Sequence, residues 1–336
     1  MKKRFFTILA LMSIMASAAA QDQKIYVCKK DGSFVEYEIA SVDSITFNKP
    51  QSNVNPGDEI DPKVTMQQLR DDLVERAPSV SGSYGKTEHK TYFSTTANKE
   101  KGVNVQVPDN YDPSKKYPVL FVLHGIMGSE NDLTNGFTVS ETIADALGKG
   151  KIREMIVVYP QMFTSKTMNS PSGINLEVTK AYDAFQEDIK NDLIPWLKEN
   201  YSVAEGRENM AITGFSMGGR EALYIGTQNT DIFGYVGGAC PAPGITPGQD
   251  MYMNHPGTIP NEADFKIPDG KPLPYILLIS GGTNDTTVGN FPESYHNILT
   301  TNGVDHVWHK INGTGHGPDS VGPHMYNFIN HIFPAK

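Results

Sequence analysis

The sequence predicts an α/β protein, a three-layer sandwich in which helices cover a mostly parallel sheet. Two observations carry this prediction: short, continuous apolar runs such as residues 117–124, and their regular alternation with segments of helical periodicity. Continuous apolar runs are typical of strands buried on both faces, and strand–helix alternation is typical of parallel sheets. A third observation, an alternating segment with a turn signal near residue 31, predicts a small β-hairpin unit before this domain.

The first twenty residues predict an export signal. Lys2–Arg4 is basic, residues 5–15 are apolar, and Ala18–Ala20 supply the small residues expected before cleavage at Gln21. We therefore expect a secreted or periplasmic protein. No later apolar run in the sequence approaches the length of a membrane-spanning helix.

Residues 21–48 predict the small β unit. The runs that flank Asp31–Gly32 alternate between apolar and polar residues, and Asp-Gly between such runs is a strong hairpin signal. Residues 41–47 are compatible with a third short strand. The composition of residues 49–63 is that of a linker, so the main domain is expected to cover residues 64–336.

Composition and charge argue against several classes of binding partner. The 336 residues carry 29 basic and 38 acidic side chains, a net charge of −9. An acidic balance without basic clusters argues against nucleic acids and anionic membranes as partners. The two cysteines, Cys28 and Cys240, either form a disulfide or are unrelated buried thiols, and we expect the second. Neither has the sequence neighbours of a metal site.

The elements of the main domain are expected in a fixed order. A helix at residues 65–76, capped by Thr65, precedes two strands at 89–95 and 102–108. The long, irregular residues 240–271 are expected to form a wall of the functional site rather than a core element. The remaining predicted strands are 117–124, 154–159, 210–212, 233–239, 273–280 and 304–311, and the remaining helices are 138–147, 182–201, 220–225 and 322–333.

The chain is organised around one serine-containing turn. An apolar run, Met210–Ile212, leads into Gly-Phe-Ser-Met-Gly at residues 214–218, and a helical segment follows. This is the pattern of the nucleophile elbow of α/β-hydrolases, in which small residues flank a serine held in an unfavourable backbone conformation. Ser216 is therefore the candidate nucleophile. The Met217 N–H, at the start of the helix, is a candidate oxyanion donor.

A second oxyanion donor is expected in the loop after the strand at 117–124. In α/β-hydrolases this loop supplies a backbone N–H, and here it begins His124-Gly125-Ile126-Met127. We expect the donor to be the Ile126 N–H, with Met127 as the alternative. His124 ends a buried strand, so we expect it to orient the loop rather than to transfer protons.

Strand order selects the catalytic acid and base. A serine hydroxyl needs an imidazole to accept its proton and a carboxylate to hold that imidazole. α/β-Hydrolases place these partners in the order Ser, Asp, His, on loops at the carboxyl ends of strands. Asp285 and His316 follow the last two predicted strands and satisfy this order. The histidines rejected for this role are His306 and His309, expected inside a strand, and His324 and His331, expected at the surface of the last helix.

Taken together, the motifs resemble those of carbohydrate esterase family 1, and most of all the feruloyl esterase domains attached to bacterial xylanases. The segments are His-Gly-Ile-Met-Gly-Ser-Glu-Asn-Asp from residue 124, Gly-Phe-Ser-Met-Gly-Gly from 214, Gly-Thr-Asn-Asp from 282 and Gly-Thr-Gly-His from 313. The resemblance extends from about Lys90 to the C-terminus. It implies that Ser216, Asp285 and His316 form the catalytic triad, and that Ile126 and Met217 donate to the oxyanion.

The resemblance also implies a function. We expect a secreted serine esterase that hydrolyses ester-linked hydroxycinnamates such as ferulate from arabinoxylan side chains, or from oligosaccharides of plant cell-wall xylan, without metal or cofactor. The alternatives are an acetylxylan esterase of the same family and a non-catalytic carbohydrate-binding homologue. Gly317-Pro318-Asp319 replaces the apolar or aromatic residue common after the catalytic histidine in the xylanase-linked relatives, so the acyl pocket is expected to differ. The sequence does not identify the residues of the acyl and sugar pockets.

Overall fold

The computed structural model describes residues 24–28, 34–38, 60–134 and 136–335, and these contain twelve strands and eight α-helices. The strands are β1 (Lys24–Cys28), β2 (Phe34–Glu38), β3 (Lys86–Ser94), β4 (Lys99–Val107), β5 (Val119–Leu123), β6 (Ile156–Pro160), β7 (Met210–Phe215), β8 (Tyr235–Ala239), β9 (Gly248–Gln249), β10 (Asn254–His255), β11 (Ile276–Gly282) and β12 (Val307–Ile311). The helices are α1 (Pro62–Asp72), α2 (Val139–Gly148), α3 (Leu176–Asp183), α4 (Phe185–Asp188), α5 (Ile194–Asn200), α6 (Met217–Gln228), α7 (Phe291–Thr301) and α8 (Pro318–Ile329).

The central sheet has eight strands in the order β12-β11-β8-β7-β5-β6-β4-β3. The six strands from β12 to β6 run parallel, and β4 and β3 continue the sheet in antiparallel pairing. Every residue of β5, β6 and β8 is buried, as the continuous apolar runs predict. The predicted α/β class with a mostly parallel sheet is confirmed.

The helices pack on the sheet and fix the strand ends that carry the site. α6 lies against β7 and β8, whereas α1, α7 and α8 lie against β11. The core between the layers is fully buried, with Phe121 of β5 and Phe328 of α8 among its largest side chains. Because the carboxyl ends of parallel strands meet at one edge of the sheet, the loops after β7, β11 and β12 converge there.

The first helix begins three residues before the predicted position. Its N-cap is Asp61, not Thr65, and the Asp61 carboxylate accepts the Lys63 N–H at 2.9 Å. Pro62 suits the first helical position because the N–H it lacks would have no partner there. Thr65 lies inside the helix, where its hydroxyl donates to the Asp61 carbonyl at 2.9 Å.

The predicted helix at 182–201 is the second part of a longer helical run. The run begins at Leu176, where the Asn175 side chain accepts the Val178 N–H at 3.0 Å. Between α4 and α5 it contains a π-helical segment, Ile189–Leu193. Pro195 follows that segment. A proline in a helix has no N–H to donate to the carbonyl four residues earlier, and its ring clashes with that carbonyl. The wider π turn before Pro195 accommodates the missing hydrogen bond and the ring.

Further differences lie in the C-terminal third of the chain. α7 was not predicted, and α8 begins at Pro318 rather than at residue 322. Residues 240–271 are irregular, as expected, apart from the short β9–β10 pair and a 3₁₀ turn at Glu262–Asp264. The first part of this segment, residues 240–246, is wholly buried and Ile245 packs in the main core, so this part is a core element, contrary to the expectation.

The N-terminal hairpin is present as predicted. β1 and β2 pair in antiparallel fashion, from Lys24 opposite Glu38 to Cys28 opposite Phe34. Residues 1–59 and 60–336 are two separate units. The export signal, the third strand at 41–47 and most of the linker lie outside the described residues, so the predicted domain boundaries remain predictions. Among the described helices, none combines the length and apolarity needed to cross a bilayer.

Candidate active site

Ser216 occupies the turn between β7 and α6 in a conformation that few residues adopt. Its backbone has φ +58° and ψ −116°, a left-handed combination that is costly for a residue with a Cβ. Three backbone hydrogen bonds hold it there: the Ser216 N–H donates to the Ala239 carbonyl at 3.0 Å, and the Ser216 carbonyl accepts the N–H groups of Arg220 at 2.9 Å and Ala242 at 3.0 Å. A Cβ on Gly218 would collide with the Leu123 carbonyl, so the turn requires glycine at that position.

The structure brings the three residues of the predicted triad together. His316 Nε2 lies 3.0 Å from Ser216 Oγ, and His316 Nδ1 lies 2.7 Å from Asp285 Oδ2. The second carboxylate oxygen of Asp285 accepts the N–H groups of Thr287 at 2.9 Å and Val288 at 3.1 Å. Both oxygens of the Asp285 carboxylate are therefore hydrogen bonded, which fixes the carboxylate in position.

These bonds determine the charge and the tautomer of the pair. Burial on its own would raise the pKa of Asp285, but the hydrogen bonds from His316 and from the two backbone amides outweigh it and hold that pKa below its usual range. An ionised Asp285 accepts the Nδ1–H of His316, which leaves the Nε2 lone pair directed at Ser216 Oγ. The arrangement can take a proton from the serine hydroxyl and stabilise the imidazolium that results.

A small apolar cluster, separate from the main core, encloses the Asp–His pair. It consists of Cys240, Ala242 and Val288, with Phe215 packed against it. The Phe215 ring lies 4.6 Å from the His316 ring, centroid to centroid, and limits the access of water to that face of the imidazole.

Cys240 is a free, fully buried thiol, as expected for one of two unrelated thiols. The fold nevertheless gives it neighbours that the sequence did not predict, because its sulfur and the side chains of Asp285 and His316 offer ligand atoms within 4.8 Å of one another. Burial raises the pKa of the Cys240 thiol to about 12. A protonated thiol beside an Asp–His pair that is already hydrogen bonded is a poor metal site, because metals bind the thiolate.

The loop after β5 forms a tight turn close to the nucleophile. The Gly128 N–H donates to the Gly125 carbonyl at 3.1 Å, and Met127 has φ +58°. This is the pattern of a type II turn, with Ile126 and Met127 as its two central residues. A Cβ built on Gly125 would lie 3.7 Å from Ser216 Cβ, so the turn borders the serine.

The two candidate amides of this turn differ in their partners. The Met127 N–H donates to the Tyr182 hydroxyl at 2.9 Å, so it is engaged. Within the part of the chain that the structure describes, the Ile126 N–H has no hydrogen-bond acceptor. The Met217 N–H lies in the first turn of α6, where no preceding helical carbonyl is available. The geometry thus favours Ile126 over Met127 as the partner of Met217.

The His124 side chain holds this turn in place through hydrogen bonds. Its Nδ1 lies 2.7 Å from the Gly125 carbonyl, and its Nε2 accepts the Met162 N–H at 3.1 Å. The ring is almost wholly buried, and burial lowers its pKa. A neutral His124 with both nitrogens occupied fits the expected orienting role.

Sequence reasoning placed three of the rejected histidines wrongly: His306, His324 and His331. His331 lies just after α8, and its side chain is only 10% exposed. His324 was expected at the surface of the last helix, but it is fully buried. Its Nε2 lies 2.9 Å from Thr213 Oγ1 and its Nδ1 lies 2.8 Å from Ser280 Oγ. Burial lowers its pKa to about 3. Most of α8 is buried, so helical spacing alone could not distinguish an inner position from an outer one.

The remaining rejected histidines also have defined positions. His309 is buried within β12, as expected, whereas His306 lies just before that strand rather than inside it. The His306 ring is hydrogen bonded to His296, with 2.8 Å between the two nitrogens. None of these rings contacts Ser216 in the described structure.

Comparisons with known proteins agree with this geometry. A family model described as "Putative esterase" matches residues 94–269. Endo-1,4-beta-xylanase Y of Acetivibrio thermocellus is 30% identical over 164 residues, which are 45% of this chain and 14% of that protein. An endo-1,4-beta-xylanase/feruloyl esterase of Xylanibacter ruminicola is 28% identical over 166 residues, 46% of this chain and 21% of that protein. The chain therefore spans only a small part of the length of these curated relatives.

Among solved structures, a CE1 ferulic acid esterase from Anaeromyces mucronatus, in complex with ferulic acid, is similar to this chain over most of its length. It is 37% identical with a TM-score of 0.74, and the match covers 78% of this chain and 98% of that one.

Proposed function

This chain belongs to the esterase family, and within it to carbohydrate esterase family 1, a family of carboxylic ester hydrolases; from that premise we propose that it is a secreted serine esterase that releases hydroxycinnamic acids such as ferulate from arabinoxylan side chains. The observation that carries the mechanism is the hydrogen-bonded series Ser216–His316–Asp285. The substrate class rests on the relatives, whose printed names include ferulic acid esterase and xylanase/feruloyl esterase.

The first half of the reaction is acylation of Ser216. His316 Nε2 takes the hydroxyl proton while Oγ attacks the carbonyl carbon of the ester. The N–H groups of Ile126 and Met217 stabilise the negative oxygen of the tetrahedral intermediate. When the intermediate collapses, the imidazolium of His316 protonates the departing sugar oxygen, which leaves as a hydroxyl group, and the acid remains as an ester of Ser216.

The second half releases the acid. His316, neutral again, takes a proton from a water molecule that attacks the acyl-serine carbonyl. Collapse of this second intermediate returns the proton to Ser216 Oγ. Asp285 keeps the imidazole oriented in both halves and stabilises its charged form. These steps use only side chains and backbone amides of this chain.

The decisive experiment compares two substrates. Purified protein is incubated with methyl ferulate and with acetylated xylan, each with and without excess chelator. We expect ferulate release that is insensitive to the chelator. Acetate release without ferulate release would assign the chain to the acetylxylan esterases instead. Loss of activity in chelator would contradict the metal-free mechanism, and xylan binding without any hydrolysis would favour the non-catalytic homologue.

A substitution tests the nucleophile. Ser216→Ala should lower kcat on methyl ferulate by about three or more orders of magnitude while leaving the melting temperature close to that of the wild type. Ser114→Ala is the matched control, because its hydroxyl only bonds Asp112 in an exposed turn. A Ser216→Ala protein with wild-type turnover would remove Ser216 from the mechanism.

A further inference from the structure

A groove of about 310 Å³ lies beside the triad, on the side of the sheet formed by β11 and β12. Its floor includes Gly281 at the end of β11, and its walls include Trp308 of β12 and residues at the start of α7. Of the five residues assigned to the reaction, only Asp285 borders it. We call this feature the Trp308 groove. It is adjacent to the proposed catalytic centre but distinct from it.

The walls of the Trp308 groove are rigid and partly aromatic. The Trp308 indole is stacked on His296 of α7, with 5.6 Å between ring centroids and 13° between planes. A Cβ on Gly281 would lie 2.9 Å from Pro292 and 3.1 Å from the Trp308 ring, so only glycine leaves this space open. A half-buried indole held in one orientation offers a preformed apolar surface to a ligand.

Apart from Asp285, whose buried carboxylate is hydrogen bonded to His316, the charged side chains that line the groove offset one another. Glu293 and Lys310 form an ion pair at 3.0 Å, so their charges offset one another. Asn290 precedes α7 but does not cap it with its side chain, in contrast to Asn175 and Asn261 at other helix starts. In the described structure its carboxamide has no hydrogen-bond partner, which leaves a donor and an acceptor at the rim.

These features together define a class of ligand. The Asp285 carboxylate is buried and already hydrogen bonded, so no accessible unpaired charge in the groove selects an ionic ligand. A purely apolar ligand would leave the Asn290 amide and the ion pair without partners. A neutral, polyhydroxylated molecule with an apolar face satisfies both the indole and the rim. We propose that the Trp308 groove is a carbohydrate-binding site that holds a sugar unit of the xylan chain whose esterified side group enters the catalytic centre.

The inference rests on the proposed function for its choice of polysaccharide, but not for its test. The chain has two tryptophans, Trp196 and Trp308. In the variant Trp196→Phe, Trp308 is the sole source of tryptophan fluorescence, so this protein can be titrated with unesterified xylo-oligosaccharides. We expect a saturable change in emission. The matched variant Trp308→Phe, which keeps Trp196 in α5, should show none.

Kinetics then connect the groove to catalysis. Trp308→Ala should raise KM for feruloylated arabinoxylan about tenfold, the loss expected from one aromatic contact, with kcat/KM on methyl ferulate within twofold of the wild type. Trp308→Phe, which keeps an aromatic ring, should retain most of the polymer affinity, and Asn290→Ala should weaken it without altering the fold. Melting temperatures identify any variant whose folding is impaired.

The results of these experiments test the carbohydrate-site proposal and the esterase proposal independently. No fluorescence change with xylo-oligosaccharides, together with an unchanged KM for the polymer in Asn290→Ala and Trp308→Ala, would overturn the inference. Equal losses on polymer and methyl ferulate would also overturn it, because the residue would then act on the catalytic centre. A saturable fluorescence change in a protein that hydrolyses neither ester would support the groove while the esterase proposal failed.

Discussion

At the scale of single residues, the site depends on backbone groups as much as on the triad. Ser216 and Met127 both hold left-handed conformations, and each lies beside an N–H proposed to face the oxyanion. Such conformations persist only where their surroundings fix them. For Met127 the fixing contacts are visible: the turn bond from Gly128 to Gly125, and the Tyr182 hydroxyl that accepts the Met127 N–H.

The turn geometry gives a clean test of the oxyanion donor. Ile126 is the first central residue of a type II turn, a position that proline favours, so Ile126→Pro removes the N–H without distorting the turn. Loss of one oxyanion donor typically costs about 10²–10³ in kcat, or roughly 3–4 kcal/mol. We therefore expect that loss in kcat on methyl ferulate, with an unchanged or higher melting temperature.

Two controls accompany this variant. Ile126→Ala keeps the backbone N–H and should remain within tenfold of the wild type. Met127→Gly also keeps its N–H and suits the positive φ, so it should be similarly mild. If Ile126→Pro were as active as Ile126→Ala, the donor would lie elsewhere, and the Met127 amide, released from Tyr182, would be the next candidate.

At the scale of secondary-structure elements, strands were easier to predict than helices. Buried parallel strands are marked by continuous apolar runs, and each predicted run in the main domain is a strand of the sheet. Helix ends are harder to predict because several neighbouring residues can serve as the N-cap. In α1 the N-cap is Asp61, followed by Pro62 at the first helical position, and not Thr65. The apolar residues of α7 do follow helical spacing, with Pro292, Tyr295 and Leu299 buried on one face, so this helix was missed although its signal was present in the sequence.

In the candidate site, too, some residues could be predicted from the sequence and others could not. Chain order and strand ends were enough to select Ser216, Asp285 and His316, because the fold itself imposes that placement. The surrounding residues could not be selected in this way. Tyr182 and Cys240 reach the site from elements distant in sequence, through packing that no local pattern records.

α6, the helix that follows Ser216, is held in place by the buried ion pairs of Arg220. Arg220 of α6 has no exposed surface; it bonds Asp183 of α3 at 2.6 Å, Glu221, and the Gly244 carbonyl at 3.0 Å. Removing one partner of a buried ion pair leaves the others uncompensated, at a typical cost of about 3–5 kcal/mol. Arg220→Met should lower the free energy of unfolding by that amount in urea titrations.

A surface ion pair supplies the matched control for Arg220. Lys198 and Glu205 are 2.8 Å apart but largely exposed, so Lys198→Met should cost less than about 1 kcal/mol. Equal costs for the two substitutions would mean that the Arg220 network does not hold α6 in place.

At the scale of the whole molecule, buried histidines make stability depend on pH. Burial lowers the pKa of His324 to about 3 and that of His309 to about 4, whereas an unfolded histidine titrates near 6.5. Below pH 6.5 the unfolded chain binds protons that the folded chain does not. Stability should therefore fall as the pH drops from 6.5 towards 4, by up to about 1.4 kcal/mol per pH unit for each histidine.

Unfolding free energies measured between pH 4.5 and 7 check this dependence. His324→Gln removes one of the two titrating groups, so its stability should be lower at pH 7 but should decline less steeply on acidification, by about 1.4 kcal/mol per pH unit. A slope identical to that of the wild type would show that His324 becomes protonated in the folded protein and is not the source of acid lability.

The division of the molecule into residues 1–59 and 60–336 predicts that the N-terminal unit is dispensable for catalysis. The triad and both proposed oxyanion donors lie after residue 120, so a protein that begins at Ile60 should keep kcat on methyl ferulate within twofold of the full chain. It retains Asp61, the cap of α1. A large loss of kcat in this folded product would show that the N-terminal unit completes the site.

A slightly longer truncation should behave differently, because it removes α1. Met66 and Leu69 of this helix are buried, and Arg70 bonds Asp305 and the His306 carbonyl beside β12. Burial of two such side chains contributes roughly 3–6 kcal/mol. A protein that begins at Val74 should therefore melt several degrees lower than one that begins at Ile60. Equal melting temperatures would show that α1 is dispensable, and would move the start of the esterase domain past this helix.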